Sequence, residues 1–363
     1  MNDAARTVYR ACNLCEAICG LEIRVDGSRI VSIRGDAADP FSRGHICPKG
    51  VALIDIHEDP NRLRRPMQRT GGQWRELAWD EAFDLAAERL STIVDQHGND
   101  AIGFYIGNPT VHNSGTLYSI PQLVRVVKTR NVFSASSVDQ LPNQLASLMM
   151  YGHQFLLPIP DIDRTAYFLI LGANPVASNG SLMTAKLDDA PHGLDLGPLI
   201  PSLYDRLETP DAKIHCAPPA LIADVARFRN SARPATFTLI GRRHLRSNNS
   251  WMHHSHRLIK GPRRDQLMMH PDDVASLRLA DGQLVEVRAS VGSVRIPVQS
   301  TDEVMRGVVC LPHGFGHHRP GTRLGLAEQH PGVSYNDLTD DDAVDAISGN
   351  AALNGTAVEI VGI

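Results

Sequence analysis

Cys12-Asn13-Leu14-Cys15-Glu16-Ala17-Ile18-Cys19, answered later by Cys47-Pro48-Lys49-Gly50, is the stretch that decides how this chain reads. Three thiols share one short loop, and the fourth returns behind a hairpin with a proline directly after it. Four thiolates spaced C-x2-C-x3-C-x27-C suit a [4Fe–4S] cluster, which takes four cysteine ligands and commonly carries Cys-Pro at its last ligand. Cys12, Cys15, Cys19 and Cys47 are therefore the expected metal ligands. Two alternatives stay open. Structural zinc favours two closely spaced ligand pairs, and disulfides need an oxidising compartment. Cys216 and Cys310 have no cysteine at ligand spacing and are expected to be ordinary half-buried thiols.

Outward from the motif, Leu21–Val25 alternates apolar and polar, Asp26-Gly27 supplies a tight turn, and Ile30–Ile33 returns. That hairpin carries the chain back so that Cys47 reaches the first three ligands. A helix is expected from Asp80, with Asp80 as its N-cap and Gly98 as its stop. Phe83, Ala86, Ala87, Leu90, Ile93 and Val94 form its apolar face. Residues 101–107 (AIGFYIG) predict a buried strand, about 116–130 a second helix, and Tyr167–Leu171 another apolar strand ending in Gly-Ala-Asn-Pro. Apolar strands followed by glycine turns and helices indicate a parallel sheet with its ligand edge at the strand C-termini. Neither turn is a GxGxxG. After Ala185 the pattern breaks, and two strands are too few to bury both sheet faces. The second half reads as short strands at Phe237–Ile240, Gln283–Ala289, Val294–Val298, Val308–Leu311 and Ala357–Val361, which suggest a closed barrel.

Composition sets the outer bounds. With 363 residues and 42% hydrophobic content, the chain can bury real cores in two or three domains. A formal charge of −4 makes no electrostatic case for nucleic acid. No apolar run reaches membrane-spanning length. Met1–Arg10 carries neither an apolar signal core nor a twin-arginine motif, so a cytoplasmic location is expected.

The cluster motif, the Trp79-Asp80-Glu81-Ala82 helix start and Gly172-Ala173-Asn174-Pro175 together resemble the molybdopterin oxidoreductase family, the group of formate dehydrogenases and periplasmic nitrate reductases. Gly241-Arg242-Arg243-His244, His270-Pro271-Asp272-Asp273 with Asp281-Gly282, Gly307-Val308-Val309, Asn336-Asp337-Leu338-Thr339 and Ser348-Gly349-Asn350 resemble that family's C-terminal dinucleotide-binding domain. The resemblance implies a fold of α/β plus β type. It comprises a β-rich iron–sulfur domain (1–60), an incomplete parallel α/β domain (61–186), a connecting segment (187–235) and a double-psi β-barrel (236–363). It further implies molybdopterin guanine dinucleotide with molybdenum or tungsten, a small-molecule substrate, and electrons passing through the [4Fe–4S] cluster to a partner protein. Lys49 matches the position of a lysine bridging cluster and pterin, where a cation stabilises the reduced cluster. Phosphate-binding loops need backbone N–H groups, glycines and arginines. The corresponding dinucleotide residues are Gly172, Asn174, Ser178 and Asn179 in the first block. In the second they are Gly241, Arg242, Arg246, Ser247, Asn248, Asn249, Asn336 and Asn350.

The chain departs from the family pattern in two places. Residues 134–143 (SASSVDQLPN) hold no cysteine where the family's protein ligand to the metal falls, leaving Ser137 or Asp139, each of which also reads as a helix cap. The sequence after Ser181 runs directly into barrel-like sequence, so the middle of the family pattern is missing. An oxidoreductase is one reading. A non-catalytic iron–sulfur or pterin-binding remnant, or an electron-transfer subunit, is the other. Clusters at His253, His254 and His256 and at His313, His317 and His318 read as loops near the pterin.

Overall fold

The computed structural model describes residues 6–15, 17–39, 42–107, 110, 112–156, 166–167, 203–230, 237–322 and 324–363. Gly172, Asn174, Ser178 and Asn179 lie outside the described residues. So do the expected helix start at Ser181 and all but Tyr167 of the Tyr167–Leu171 strand.

The chain opens as a three-stranded antiparallel sheet, β1 (Arg6–Ala11), β2 (Gly20–Asp26) and β3 (Arg29–Gly35). The expected hairpin is β2–β3, turning at Gly27 with φ 57°. The link between β1 and β2 is the three-cysteine loop itself. The register closes at Ala11 opposite Gly20, and the Cys12 N–H donates to the Cys19 carbonyl at 2.8 Å. Two short helices follow, α1 (Pro48–Val51) and α2 (Leu53–Glu58). Cys47 is the N-cap of α1, and Pro48, which has no N–H to leave unsatisfied, begins it.

After the hairpin β4 (Met67–Thr70)–β5 (Gln73–Glu76), helix α3 covers Trp79–His97. It starts one residue before expectation. Ala78 is its N-cap and makes no side-chain cap bond, so Asp80 instead adds negative charge to the first turn. Gly98, at φ 81°, ends it as expected. Strands β6 (Phe104–Ile106) and β7 (Val132–Ser134) pair in parallel, flanking helix α4 (Ser114–Val127). These strands are not buried. Tyr105 is 64% exposed and α3 buries none of its residues; among the described residues the sheet has these two strands alone, which offer little surface to cover them. Helices α5 (Ser136–Asp139) and α6 (Leu141–Tyr151) complete this part.

The second half is a closed barrel of six strands: β8 (Phe237–Arg242), β9 (Leu267–Met269), β10 (Leu284–Arg288), β11 (Ser293–Ser300), β12 (Val308–Pro312) and β13 (Thr356–Gly362). Their order around the barrel is β10-β11-β9-β12-β8-β13, with β9–β11 and β8–β12 parallel and the other pairs antiparallel. Alternation places Val285 and Val287 of β10 and Val294, Ile296 and Val298 of β11 inside, against Leu239, Leu267, Val309 and Leu311. The expected helix after His270 is present as Pro271–Ser276. The His270 imidazole accepts from the Asp272 N–H as its cap. Of the two lone cysteines, Cys310 is buried in the barrel. Cys216 is exposed, which corrects its expected half-burial.

Candidate cluster and dinucleotide site

None of the six cysteines forms a disulfide. Cys12 and Cys19 are buried, and Cys15 and Cys47 are partly buried. The loop is tightened by Ile18, which takes a left-handed φ of 46°, and by its N–H bond to the Cys15 carbonyl. Burial raises the Cys12 thiol to about 11, and the nearby sulfurs of Cys47, Cys15 and Cys19 push it further in the same direction. A metal centre would hold the Cys12 sulfur as the thiolate that its burial and its neighbouring sulfurs oppose. Among the described residues, no group of three or more His, Cys, Asp or Glu converges on a single metal ion.

Gly50 approaches the pocket closely, since a Cβ there would meet Ile46 Cγ1 at 2.7 Å and Cys12 Sγ at 3.9 Å. Lys49, on the same turn, is only 5% exposed. Its ammonium donates to the Leu245 carbonyl at 3.0 Å, across the boundary to the barrel. Further bonds tie the same two parts together. Asn248 Nδ2 donates to the Leu14 carbonyl at 2.8 Å, and the Ser255 hydroxyl donates to Asp55 Oδ2. Arg257 Nε stands 3.0 Å from Asp55 Oδ1, and His254 Nδ1 stands 2.8 Å from Asp59 Oδ2. Met252 and Leu258 of the barrel part share one buried apolar group with Cys12, Leu14, Ala17, Cys19 and Ile54.

Behind this seam lies a cavity of about 420 Å3. Arg242, His244, Arg246, Ser247, His313 and Arg264 are among the residues that line it. The guanidinium of Arg242 bonds the Arg264 carbonyl at 2.9 Å, while its Nε is buried without a partner. His244 is lowered to about 4, first by burial and then by Arg264, Arg242, Arg246 and Lys49. Arg264 is lowered too, by burial and by Arg246 and Arg242. The acid on the wall, Asp265, is held by Arg263 at 2.7 Å. Such a concentration of partly buried positive charge, with an orphaned guanidine nitrogen, fits a phosphate-bearing ligand.

The expected dinucleotide residues separate on this geometry. Arg242, Arg246 and Ser247 line the cavity. The Gly241 N–H donates to Asn354 Oδ1, Asn249 Oδ1 accepts from Arg243, and Asn336 sits in the turn Tyr335–Leu338. The Asn350 amide donates to the Ala351 carbonyl, and its oxygen is buried without a partner. The Asn248 amide is spent on the cluster loop. Ser137 Oγ donates to the Ser134 carbonyl at 2.7 Å, the Ser137 carbonyl accepts from the Ala351 N–H, and Asp139 closes α5. Arg264 went unrecognised in the sequence; its signal was an Arg pair directly after the Gly261-Pro262 turn. The histidines of the two clusters do meet. His253 and His317 are both buried, with Nδ1 and Nε2 2.7 Å apart, and burial lowers His253 to about 4.

Three family profiles match in order along the chain. The molybdopterin oxidoreductase Fe4S4 domain covers residues 5–59, molybdopterin oxidoreductase covers 62–189, and the Molydopterin dinucleotide binding domain covers 237–357. The chain belongs to the molybdopterin oxidoreductase family. It is 27% identical over 244 residues to a nitrate reductase of Symbiobacterium thermophilum, covering 64% of this chain and 29% of that protein. It is 28% identical over 185 residues to the thiosulfate reductase molybdopterin-containing subunit PhsA of Salmonella typhimurium, covering 48% of this chain and 23% of that protein. YrhE of Bacillus subtilis, named for formate dehydrogenase, is 31% identical over 177 residues, covering 48% and 18%. The chain therefore spans less than a third of the length of these relatives. Acetylene hydratase from Pelobacter acetylenicus shares the fold, with a TM-score of 0.64 at 11% identity over 98% of this chain and 100% of that one. The Fe4S4-domain and dinucleotide-binding-domain matches support a [4Fe–4S] cluster and molybdopterin guanine dinucleotide with molybdenum as the cofactors of these domains.

Proposed function

We propose that this chain is an oxidoreductase that passes electrons between a small substrate at a pterin-bound molybdenum, or tungsten, centre and the [4Fe–4S] cluster. From there the electrons go to a partner protein. The observation that carries the reading is Lys49: a buried cation two residues beyond Cys47, bonded to the wall segment of the cationic cavity. In that position its charge favours the reduced, more negative cluster. Cys12, Cys15, Cys19 and Cys47 would hold the cluster, and Arg242, Arg246, Ser247 and Arg264 the dinucleotide. The bound pterin metal supplies the two-electron chemistry. The chain's own residues neutralise phosphates, exclude water around the cluster and hold the two cofactors side by side. The barrel is assigned the double-psi type, the units the bounds 1–60, 61–186, 187–235 and 236–363, and the protein a cytoplasmic location. No described helix is long and apolar enough to cross a membrane.

Formate, nitrate and thiosulfate, the substrates in the relatives' names, are the first to test. Molybdenum-containing protein should reduce an oxidised viologen dye with formate, or oxidise the reduced dye with nitrate or thiosulfate. A second reading, a non-catalytic cluster- and pterin-binding chain, is favoured by the short interval between the oxidoreductase match, which ends at 189, and the dinucleotide-binding match, which begins at 237, and by the engagement of Ser137 Oγ with Ser134. Protein that carries both cofactors and turns over none of the three substrates would decide for it.

A further inference from the structure

The segment Leu245–Ile259 has two faces with different neighbours. One face closes the cluster loop: Leu245 accepts from Lys49, Asn248 donates to Leu14, and Met252 and Leu258 pack with Cys12 and Cys19. The other face is cavity wall, through Arg246, Ser247, His253 and Ile259, with Met252 and Leu258 reaching both sides. Leu14 lies between the ligands Cys12 and Cys15, so the bond from Asn248 fixes the backbone that aims both sulfurs. The segment is held from behind as well. Asn249 sits in the left-handed region at φ 48°, and Gly314 presses against it so closely that a Cβ at 314 would stand 2.5 Å from the Asn249 carbonyl carbon. A strained residue clamped on both sides transmits a shift on one face to the other, because a packed segment has few intermediate arrangements.

We propose that Asn248 is a positioning residue that couples the two cofactor sites: a ligand filling the cavity orders the 245–259 segment, and Asn248 passes that order to the Cys12–Cys15 loop. Dinucleotide binding then tightens the cluster, and by reciprocity the assembled cluster tightens the dinucleotide. The inference rests on the reading of the cavity as the dinucleotide site.

The test compares protein purified without oxygen from cells able and unable to make the pterin dinucleotide. Iron release to a chelator and the electron paramagnetic resonance spectrum of the reduced cluster are measured in each. Wild-type protein should release iron about fivefold more slowly when it carries the dinucleotide, and its spectrum should differ between the two preparations. In Asn248→Ala, and in Asn248→Asp, which keeps the size but loses the donor, the ratio should fall to about one and the two spectra should coincide. Circular dichroism melts identify the variants that remain folded. Bound guanine nucleotide in the wild type with an unchanged ratio in both variants would overturn the coupling alone. Absence of guanine nucleotide from the wild type would overturn the cavity assignment, and the coupling with it.

Discussion

A methyl group at position 50 would sit 2.7 Å from Ile46 Cγ1 and within contact of the Cys12 sulfur. Gly50→Ala should therefore cost about 1–3 kcal/mol and weaken cluster retention, read as faster loss of visible absorbance in air. Replacing Cys15 by Ser removes one of four ligands, and the broad absorbance of the cluster should disappear; an unchanged spectrum would refute the ligand set. Lys49→Ala removes a buried cation. The cluster potential should move to more negative values, because the reduced state loses its neighbouring positive charge, and a redox titration reads the shift directly. The closeness of the three loop cysteines was legible in the sequence because the motif is local and spacing puts three sulfurs on one loop, whereas the role of Lys49 rests on the family resemblance. Asn248 and Arg264 were not legible in their observed positions. Which way Asn248 points depends on a fold that brings it to Leu14 from 234 residues away in sequence.

At the scale of elements, the barrel strands with clean alternation were readable and the short one was not. Strand β9 is three residues, Leu267–Met269, all buried, so it carries no period to read. It nonetheless joins β11 to β12 and closes the barrel. Leu311→Ala, deep in the barrel, should destabilise that unit by about 2–5 kcal/mol in a denaturant titration. The segment that carries His253 and the 313–318 loop are joined by the buried His253–His317 pair. His253 and His313 both fall from an ordinary 6.5 to about 4, with burial as the leading cause. In the unfolded chain they bind protons near 6.5, so between that value and about 4 the unfolded state holds more protons. Stability contributed by these neutral histidines is full above pH 6.5 and is lost as the pH falls toward 4, which melts recorded across that window will show as a declining Tm.

Over the whole molecule, burial is uneven in a way the sequence foreshadowed. The expected parallel sheet is present only as β6 and β7 among the described residues, and apolar side chains of the expected α3 face stand in the open: Phe83 is 63% and Ile93 37% exposed. The barrel and the cluster sheet, by contrast, each enclose a buried apolar group. Native-state hydrogen exchange should find the barrel amides protected far longer than those of β6, β7 and α3. The helix periodicity of α3 was correctly legible while its burial was not, since amphipathicity states what a helix would bury and not whether a partner surface is there.

The central claim, that these four cysteines hold a [4Fe–4S] cluster beside a pterin dinucleotide, is tested most directly by metal analysis of protein purified without oxygen. The account predicts about four irons and about one molybdenum or tungsten per folded chain. Stoichiometric zinc with no iron would contradict it.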